Sequence, residues 1–195
     1  AGNTCTIKGD FTIASTSALN SITMNDSIYG NSLIVMGKLI INQFGTLTIK
    51  GDSVHLNSDV IVNGTLNHTG ILRRKVIFST STAQTIKTGI GAINIWNCEI
   101  RKPLNDVTLN MNVTIDGNLN LVRGRFFSAN TPNGLMIINA NANVTSVSNL
   151  SFVHGPCRKI GNTAFTFPVG KGNLYRQCSI GAGGVGGTIN FWSED

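Results

Sequence analysis

The sequence predicts an all-β protein, a right-handed parallel β-helix (β-solenoid) with a small C-terminal β module. Short apolar-polar alternations, each too short for a helix, recur between residues 33 and 69. Gly, Asn, Asp or Ser separates them. One strand and one turn occur about every seven residues, so three such units make a coil of about twenty residues, the length of one solenoid rung. Helix formers are scarce, and no stretch shows a clear helical period.

The repeat is most regular from Leu33 to Ile71. Its apolar positions are Leu33 and Val35, Leu39 and Ile41, Leu47 and Ile49, Val54 and Leu56, Val60 and Val62, and Leu66. Residues 1–32 carry two weaker units, and no amphipathic capping helix precedes them. Residues 79–124 carry a second series of alternating strands at about the same spacing, and the pattern continues to Val147. These residues predict one solenoid domain over residues 1–150.

The regular pattern of short strands and turns changes at Ser151. Three strands are predicted there, over residues 164–167, 174–180 and 188–192, with glycine-rich connections between them. Pro156 and Pro168 mark strand edges or turns. We therefore expect a separate small β module over residues 151–195. Three strands are too few for a closed sandwich, so a neighbouring subunit is expected to complete the module.

Composition limits the function classes. The chain has 195 residues, of which 41% are hydrophobic and only 12% charged, and its formal net charge is +6. The basic residues are dispersed except in Arg73-Arg74-Lys75 and Arg158-Lys159, with few aromatic residues nearby, which disfavours nucleic-acid binding. Modest basicity instead indicates weak attraction to anionic surfaces such as glycans. No apolar run approaches the length that spans a membrane.

A resemblance adds to this interpretation. The run AQTI…INIWNCEI…DVTLNMNVTIDGNLNLVRGRF, followed by FVHGPCRKIGNTAFTFPVGKGNLYR, resembles the repeat-plus-junction pattern of large secreted surface proteins of the Bacteroidetes phylum. These are adhesin-like β-solenoid cargo of the type IX secretion system. The resemblance covers roughly residues 30–180, and GNTAFTFPVGKG is its most specific part. It implies a secreted or cell-surface location, a structural or adhesive role and no catalytic residues. In that family the junction leads into a longer β-sandwich and a sorting domain, a pattern from which this chain departs.

Two short motifs are similar to the O-glycosylation signal of the same phylum. They are Asp26-Ser27-Ile28 and Asp52-Ser53-Val54, which makes Ser27 and Ser53 candidate glycan acceptors. The alternative, held open equally, is that both Asp-Ser pairs are simple turn residues.

The acidic residues and histidines do not predict an active site. Glycoside hydrolysis needs two carboxylates a few ångströms apart, and stacked acids in this solenoid should recur at about the coil length. Only loose candidates such as Asp10 with Asp26 occur, and His55, His68 and His154 show no zinc-ligand spacing. We therefore predict no enzymatic activity, no catalytic residues, no metal site and no cofactor.

The four cysteines carry two predictions. Cys157 and Cys178 both lie in the C-terminal module, so we predict a disulfide between them. Cys5 and Cys98 are separated by four or five coils, or roughly 20 Å along the axis, which exceeds the reach of a disulfide. The two thiols are either buried and free or candidates for links between subunits.

Two functional classes are compatible with these sequence observations. The first is an extracellular structural protein, a solenoid subunit of a surface filament or adhesin stalk that assembles head-to-tail with copies of itself by strand addition. The second is a carbohydrate-binding or carbohydrate-processing β-helix. Trp96 and Trp192 are the only tryptophans and are candidate glycan-stacking or interface residues. Trp96 is predicted to face outward, because it alternates with Ile93 and Ile95.

Overall fold

The structure is a computed structural model that describes residues 3–14, 20–25, 31–50, 53–69, 74–87, 91–129, 134–183 and 188–191. Across these residues every regular element is a β-strand. Parallel strands stack into a β-solenoid of about six turns, which confirms the predicted fold class. Paired residues on neighbouring coils are about one coil length apart in sequence: Leu33, for example, pairs with Val54.

Each coil passes through three faces. Face 1 contains β1 (Thr4–Ile7), β4 (Ser32–Val35), β7 (Ser53–Leu56), β10 (Val76–Phe78), the second half of β12 (Ala92–Arg101), the second half of β14 (Val113–Arg123) and β17 (Asn143–Thr145). Face 2 contains β2 (Phe11–Ile13), β5 (Leu39–Ile41), β8 (Val60–Val62), β11 (Gln84–Lys87), β13 (Val107–Asn110), β15 (Phe126–Phe127), β18 (Val153–His154) and β21 (Val169–Lys171). Face 3 contains β3 (Asn20–Asn25), β6 (Gly45–Lys50), β9 (Thr65–His68), the first halves of β12 and β14, β16 (Met136–Ile138) and β19 (Cys157–Ile160).

The core is the interior of the coil. In β4 to β9 every second residue is buried and the residues between them are only partly covered, as the alternation predicts. Because the register stacks like positions, apolar residues form columns along the axis. One inward column of face 1 runs from Cys5 through Leu33, Val54 and Val76 to Cys98.

Neighbouring coils approach closely where face 2 turns into face 3. Gly45, Gly64 and Gly91 lie above one another at this corner, where strands that pair in register begin. A Cβ atom on Gly64 would lie within 3.0 Å of the backbone oxygens of Gly45 and Asn42. Glycine is therefore required there for steric reasons, since no side chain fits between the coils.

The corner between faces 3 and 1 carries Trp96. β12 bends there, and its register against β14 shifts between Ile95 and Asn97. The Trp96 indole lies directly over Gly117 of the next coil, where a Cβ would be 2.7 Å from the ring. Asn97 follows on the corner and accepts a hydrogen bond from the Asn118 backbone N–H at 3.1 Å. Asparagines thus stack between coils at this corner.

The C-terminal part begins as a continuation of the solenoid. β18, β19 and β21 still pair in parallel with the strands before them, so parallel pairing extends beyond the predicted boundary at residue 151. Antiparallel pairing enters with three further strands: β22 (Leu174–Tyr175) on β21, β23 (Cys178–Ile180) on β20 (Phe165–Phe167), and β24 (Thr188–Phe191) on β19. The chain itself thereby covers the last strands of faces 2 and 3.

Candidate functional site

A cleft of about 480 Å³ lies at the corner between faces 1 and 2. It arises because successive corners differ in length. The corner at residues 124–125 is short, whereas the corners at 102–106 and 146–152 project on either side of it. Leu104 and Leu150, which are 64% and 67% exposed, stand on these two projecting corners. We call this concavity the corner cleft.

An ion pair holds one wall of the corner cleft. Asp106 accepts hydrogen bonds from the Arg125 backbone N–H at 2.7 Å and from Arg125 Nη2 at 3.0 Å. Arg125 Nη1 also bonds to the Gly172 carbonyl, and the guanidinium lies over the rings of Phe127 and Phe152 at 5.4 and 5.8 Å from their centroids. Arg125 is therefore held by a charge-assisted, stacked arrangement that fixes its orientation.

Three asparagine side chains line the corner cleft, each held by one hydrogen bond. Asn105 Nδ2 donates to the Ser81 carbonyl at 2.6 Å. Asn149 Oδ1 accepts from the Tyr175 N–H at 2.8 Å, and Asn173 Oδ1 accepts from Arg125 Nη1 at 3.1 Å. Across the described residues the second polar atom of each amide has no protein partner. The cleft thus presents one oriented acceptor, on Asn105, and two oriented donors, on Asn149 and Asn173.

Beneath the corner cleft lies a buried lysine. Lys102 is 1% exposed, and its Nζ donates to Gln84 Oε1 at 2.6 Å, to the Thr82 carbonyl at 2.7 Å and to Thr80 Oγ1 at 3.3 Å. Burial lowers the pKa of Lys102 to about 8, against a smaller opposing effect of Asp106. The ammonium satisfies acceptors of the preceding coil, so Lys102 braces the floor of the cleft.

Arg123 is the available cation of the corner cleft. Its side chain is exposed, and within the described part of the chain it has no ion pair and no side-chain hydrogen bond. The residue paired with it on the neighbouring coil is Arg101, another cation. With Lys102 and Arg125 against Asp106, the lining of the cleft has a formal charge of +2, which gives it a positive potential.

A second charged cluster lies on face 1 and is satisfied internally. Glu99 bonds to Lys75 Nζ, to Asn120 Nδ2 at 2.8 Å and to Arg101 Nη1 at 3.4 Å. Burial raises the pKa of Glu99, but the hydrogen bonds from Lys75 and Asn120 together with the nearby positive charges outweigh it, and the pKa lies below its ordinary value. Because its partners come from the protein itself, this cluster is a structural network.

All four cysteines are free thiols in the structure. The predicted Cys157–Cys178 disulfide is not formed, and the two residues occupy different sheets. Cys157 is buried opposite Met136 on face 3, whereas Cys178 pairs with Phe167 in a separate two-stranded sheet. Burial raises the pKa of Cys157 to about 12, against an opposing effect of Lys159.

The other two cysteines lie at different depths. Cys5 and Cys98 occupy the same inward column of face 1, with three strands between them, so they are too far apart to bridge within one chain. Cys98 is 1% exposed, and burial, reinforced by Glu99, raises its pKa. Of the two alternatives for this thiol, its position inside the coil fits the buried free thiol and not the link between subunits. Cys5 is exposed on the first strand.

The remaining predicted site residues lie away from the corner cleft. Trp96 is 37% exposed and faces outward, with Ile93 and Ile95 buried. Ser53 begins β7 on its outward side and is half-buried. Ser27 and Trp192 lie outside the described residues.

The sequence interpretation did not identify the residues of the corner cleft. Asp106 and Arg125 are about one coil apart, and a search for opposite charges at the coil period would have paired them. The asparagines carry no comparable signal, since asparagine is common throughout the chain. The cleft results from unequal corner lengths, which are known only once the strand register is fixed.

Comparisons with protein-family models, curated proteins and solved structures find no match. Within the described ranges no three His, Cys, Asp or Glu side chains cluster as metal ligands would. The same residues contain no helix of the length and apolarity that a membrane-spanning segment needs.

Proposed function

We propose that this chain is an extracellular structural β-solenoid, a subunit of a cell-surface filament or adhesin stalk that assembles head-to-tail by strand addition. The observation that carries the proposal is the open first coil. Within the described residues β1, β2 and β3 pair only with the strands that follow them, so their outer edges present unpaired backbone groups.

The end of the core at this coil is apolar. Cys5 is exposed, Ile22 is 40% exposed, and Ile7 and Phe11 are only partly buried, although like positions in later coils are covered. A further parallel coil would cover these side chains and would also pair the unpaired backbone groups of the edge. The addition of a strand from a second copy to face 1 therefore buries apolar area and satisfies backbone hydrogen bonds together.

Face 1 offers a matching edge at the other end. β17 pairs with β14 and, within the described residues, has no strand on its outer side. The last strands of faces 2 and 3 are instead covered by the antiparallel strands β22 and β24. Head-to-tail contact would therefore run from β17 of one copy to β1 of the next. Val144 would continue the inward column to the neighbour's Cys5.

A proline substitution tests this assembly. The carbonyl groups of Asn3 and Ile7 accept hydrogen bonds from the β4 side. Because backbone groups alternate in direction along a strand, the N–H groups of Thr4 and Thr6 point to the outer edge. Thr6→Pro removes one edge donor while leaving the β1–β4 bonds intact. Thr6→Val, which keeps the N–H, is the matched control.

Sedimentation velocity over a concentration series provides the measurement. The wild type and Thr6→Val should form larger species as concentration rises, and Thr6→Pro should need a markedly higher concentration. A wild type that stays monomeric throughout the series overturns the assembly proposal. The open edge would then accommodate a different strand, such as one from a preceding segment of a longer chain.

The corner cleft favours a second function, carbohydrate binding. Its volume lies within the usual range for ligand sites. The oriented acceptor on Asn105 and the oriented donors on Asn149 and Asn173 suit the hydroxyl groups of a sugar, and Leu104 and Leu150 supply apolar contact for its C–H faces. A panel of immobilised oligosaccharides tests this function, and the Asn149→Ala variant should lose binding to any that the wild type retains.

The resemblance to adhesin-like type IX secretion cargo supports the extracellular location and glycosylation of these proposals. Ser53 faces outward and is the candidate acceptor within the described residues. Intact-mass measurement of natively produced protein, compared with a Ser53→Ala variant, tests the modification. An unmodified native protein would contradict it.

A further inference from the structure

We infer that the ligand of the corner cleft is an acidic saccharide whose anionic group binds Arg123. This inference rests on the proposed carbohydrate-binding function and specifies its ligand class. The observation behind it is that, among the described residues, Arg123 has no hydrogen-bond or ion-pair partner for its side chain, while the charged groups around it in the corner cleft are paired or buried.

The charged groups of the corner cleft differ in their interaction partners. Asp106 is engaged by Arg125, and the Lys102 ammonium points into the protein toward Gln84 and Thr82. Neither of these groups neutralises Arg123. Its neighbour on the preceding coil, Arg101, adds positive charge, although Arg101 itself contacts Glu99 at 3.4 Å. An anion in the cleft would therefore meet a net positive potential and the guanidinium of Arg123, which has no partner among the described residues.

The chemistry of a guanidinium narrows the ligand. Its planar N–H groups match the paired oxygens of a carboxylate and also bind sulfate oxygens. A polyhydroxylated ring attached to such a group would lie over the corner, within reach of the Asn149 and Asn173 amides. Uronic-acid, sialylated and sulfated saccharides all satisfy this description, so the shared requirement is an anionic group on a sugar.

Backbone geometry around Arg123 makes the cleft a formed site. Gly124 has a φ of 88° and Asn105 a φ of 60°, both in the left-handed region. Gly124 donates its N–H to the Leu150 carbonyl at 2.9 Å and accepts from Ser151 Oγ at 2.6 Å. These bonds tie the short corner to the projecting one, so the concavity exists before any ligand binds.

The test is binding of the full chain to four classes of labelled oligosaccharide: uronic-acid, sialylated, sulfated and neutral. We expect binding to at least one acidic class, weakening as salt is raised. Arg123→Gln should reduce that affinity by about tenfold or more, because a charge-assisted hydrogen bond is lost. Arg123→Lys should retain part of it. Arg176→Gln, which removes an exposed arginine outside the cleft, is the matched control.

The outcomes distinguish the carbohydrate-binding function from the role of Arg123 in binding an anionic group. Preference for carboxylated or for sulfated sugars supports the inference and identifies the anionic group. Equal binding of neutral and acidic sugars, or acidic binding that Arg123→Gln leaves unchanged, overturns the role of Arg123 while the carbohydrate function stands. Binding to none of the four classes overturns both. Circular dichroism of the variants verifies that each is folded.

Discussion

The buried ammonium of Lys102 gives this fold a measurable dependence on pH. Its pKa is lowered to about 8 in the native protein, from 10.5, chiefly by burial. Between these values the unfolded chain holds the proton that the native chain releases. The free energy of unfolding therefore rises with pH over this interval, while below pH 8 the contribution is constant.

The magnitude follows from the two pKa values. From pH 7 to pH 9 the contribution of Lys102 changes by about 1.3 kcal/mol in favour of the folded state. Lys102→Met removes the titrating group. It also leaves the Thr82 carbonyl and Gln84 Oε1 without their donor, which lowers stability by an amount that does not vary with pH.

Urea denaturation of wild type and Lys102→Met at several pH values is the assay. The stability difference between the two proteins should grow by about 1.3 kcal/mol from pH 7 to pH 9, in favour of the wild type. The buried thiols Cys98 and Cys157 titrate in the opposite sense when unfolded, but they are common to both proteins and cancel. Lys8→Met controls for loss of an exposed lysine charge. A difference that stays constant with pH would refute the reasoning.

Two further predictions concern packing. Gly64→Ala should lower stability by about 2 kcal/mol or more, because its Cβ would overlap the backbone of the previous coil, whereas Gly9→Ala, with open space around it, should change stability little; thermal unfolding compares them. A thiol reagent at neutral pH should modify Cys5 rapidly in the folded protein and reach Cys98 and Cys157 only after denaturation. Prompt modification of three or more thiols in the folded state would contradict the described burial.

The sequence predicted the fold well because a solenoid repeats one local rule. Alternation in segments such as residues 33–35 and 39–41 places the same side chains inward whatever the neighbouring coils contain, so the strands and their buried positions follow from pattern alone. The predicted boundary at residue 151 falls within a stretch where parallel pairing continues. The sequence pattern around Cys157 differs from that of the earlier repeats, because glycines and prolines shorten the strands. The parallel pairing of Cys157 with Met136 nevertheless continues the coil.

The candidate site was far less accessible to prediction. Arg123 stands in a run, Leu121-Val122-Arg123-Gly124, that looks like any strand end, and its isolation depends on which side chains the register places beside it. The alternating asparagines Asn139, Asn141 and Asn143 show the same limit, because their spacing in the sequence does not say which asparagines stack. Those residues are neighbours within one coil, whereas stacking requires residues one coil apart, as in Asn97 and Asn118.

The measurement that tests the central claim most directly is negative-stain electron microscopy of the protein at high concentration, with and without reductant. Head-to-tail addition through β17 and β1 predicts unbranched fibres with an axial repeat of roughly 34 Å, from one strand spacing for each strand of face 1, β1 to β17. These fibres should persist in reductant, because β17, which would face the neighbour's Cys5, contains no cysteine. Uniformly dispersed single particles under both conditions would contradict the assembly.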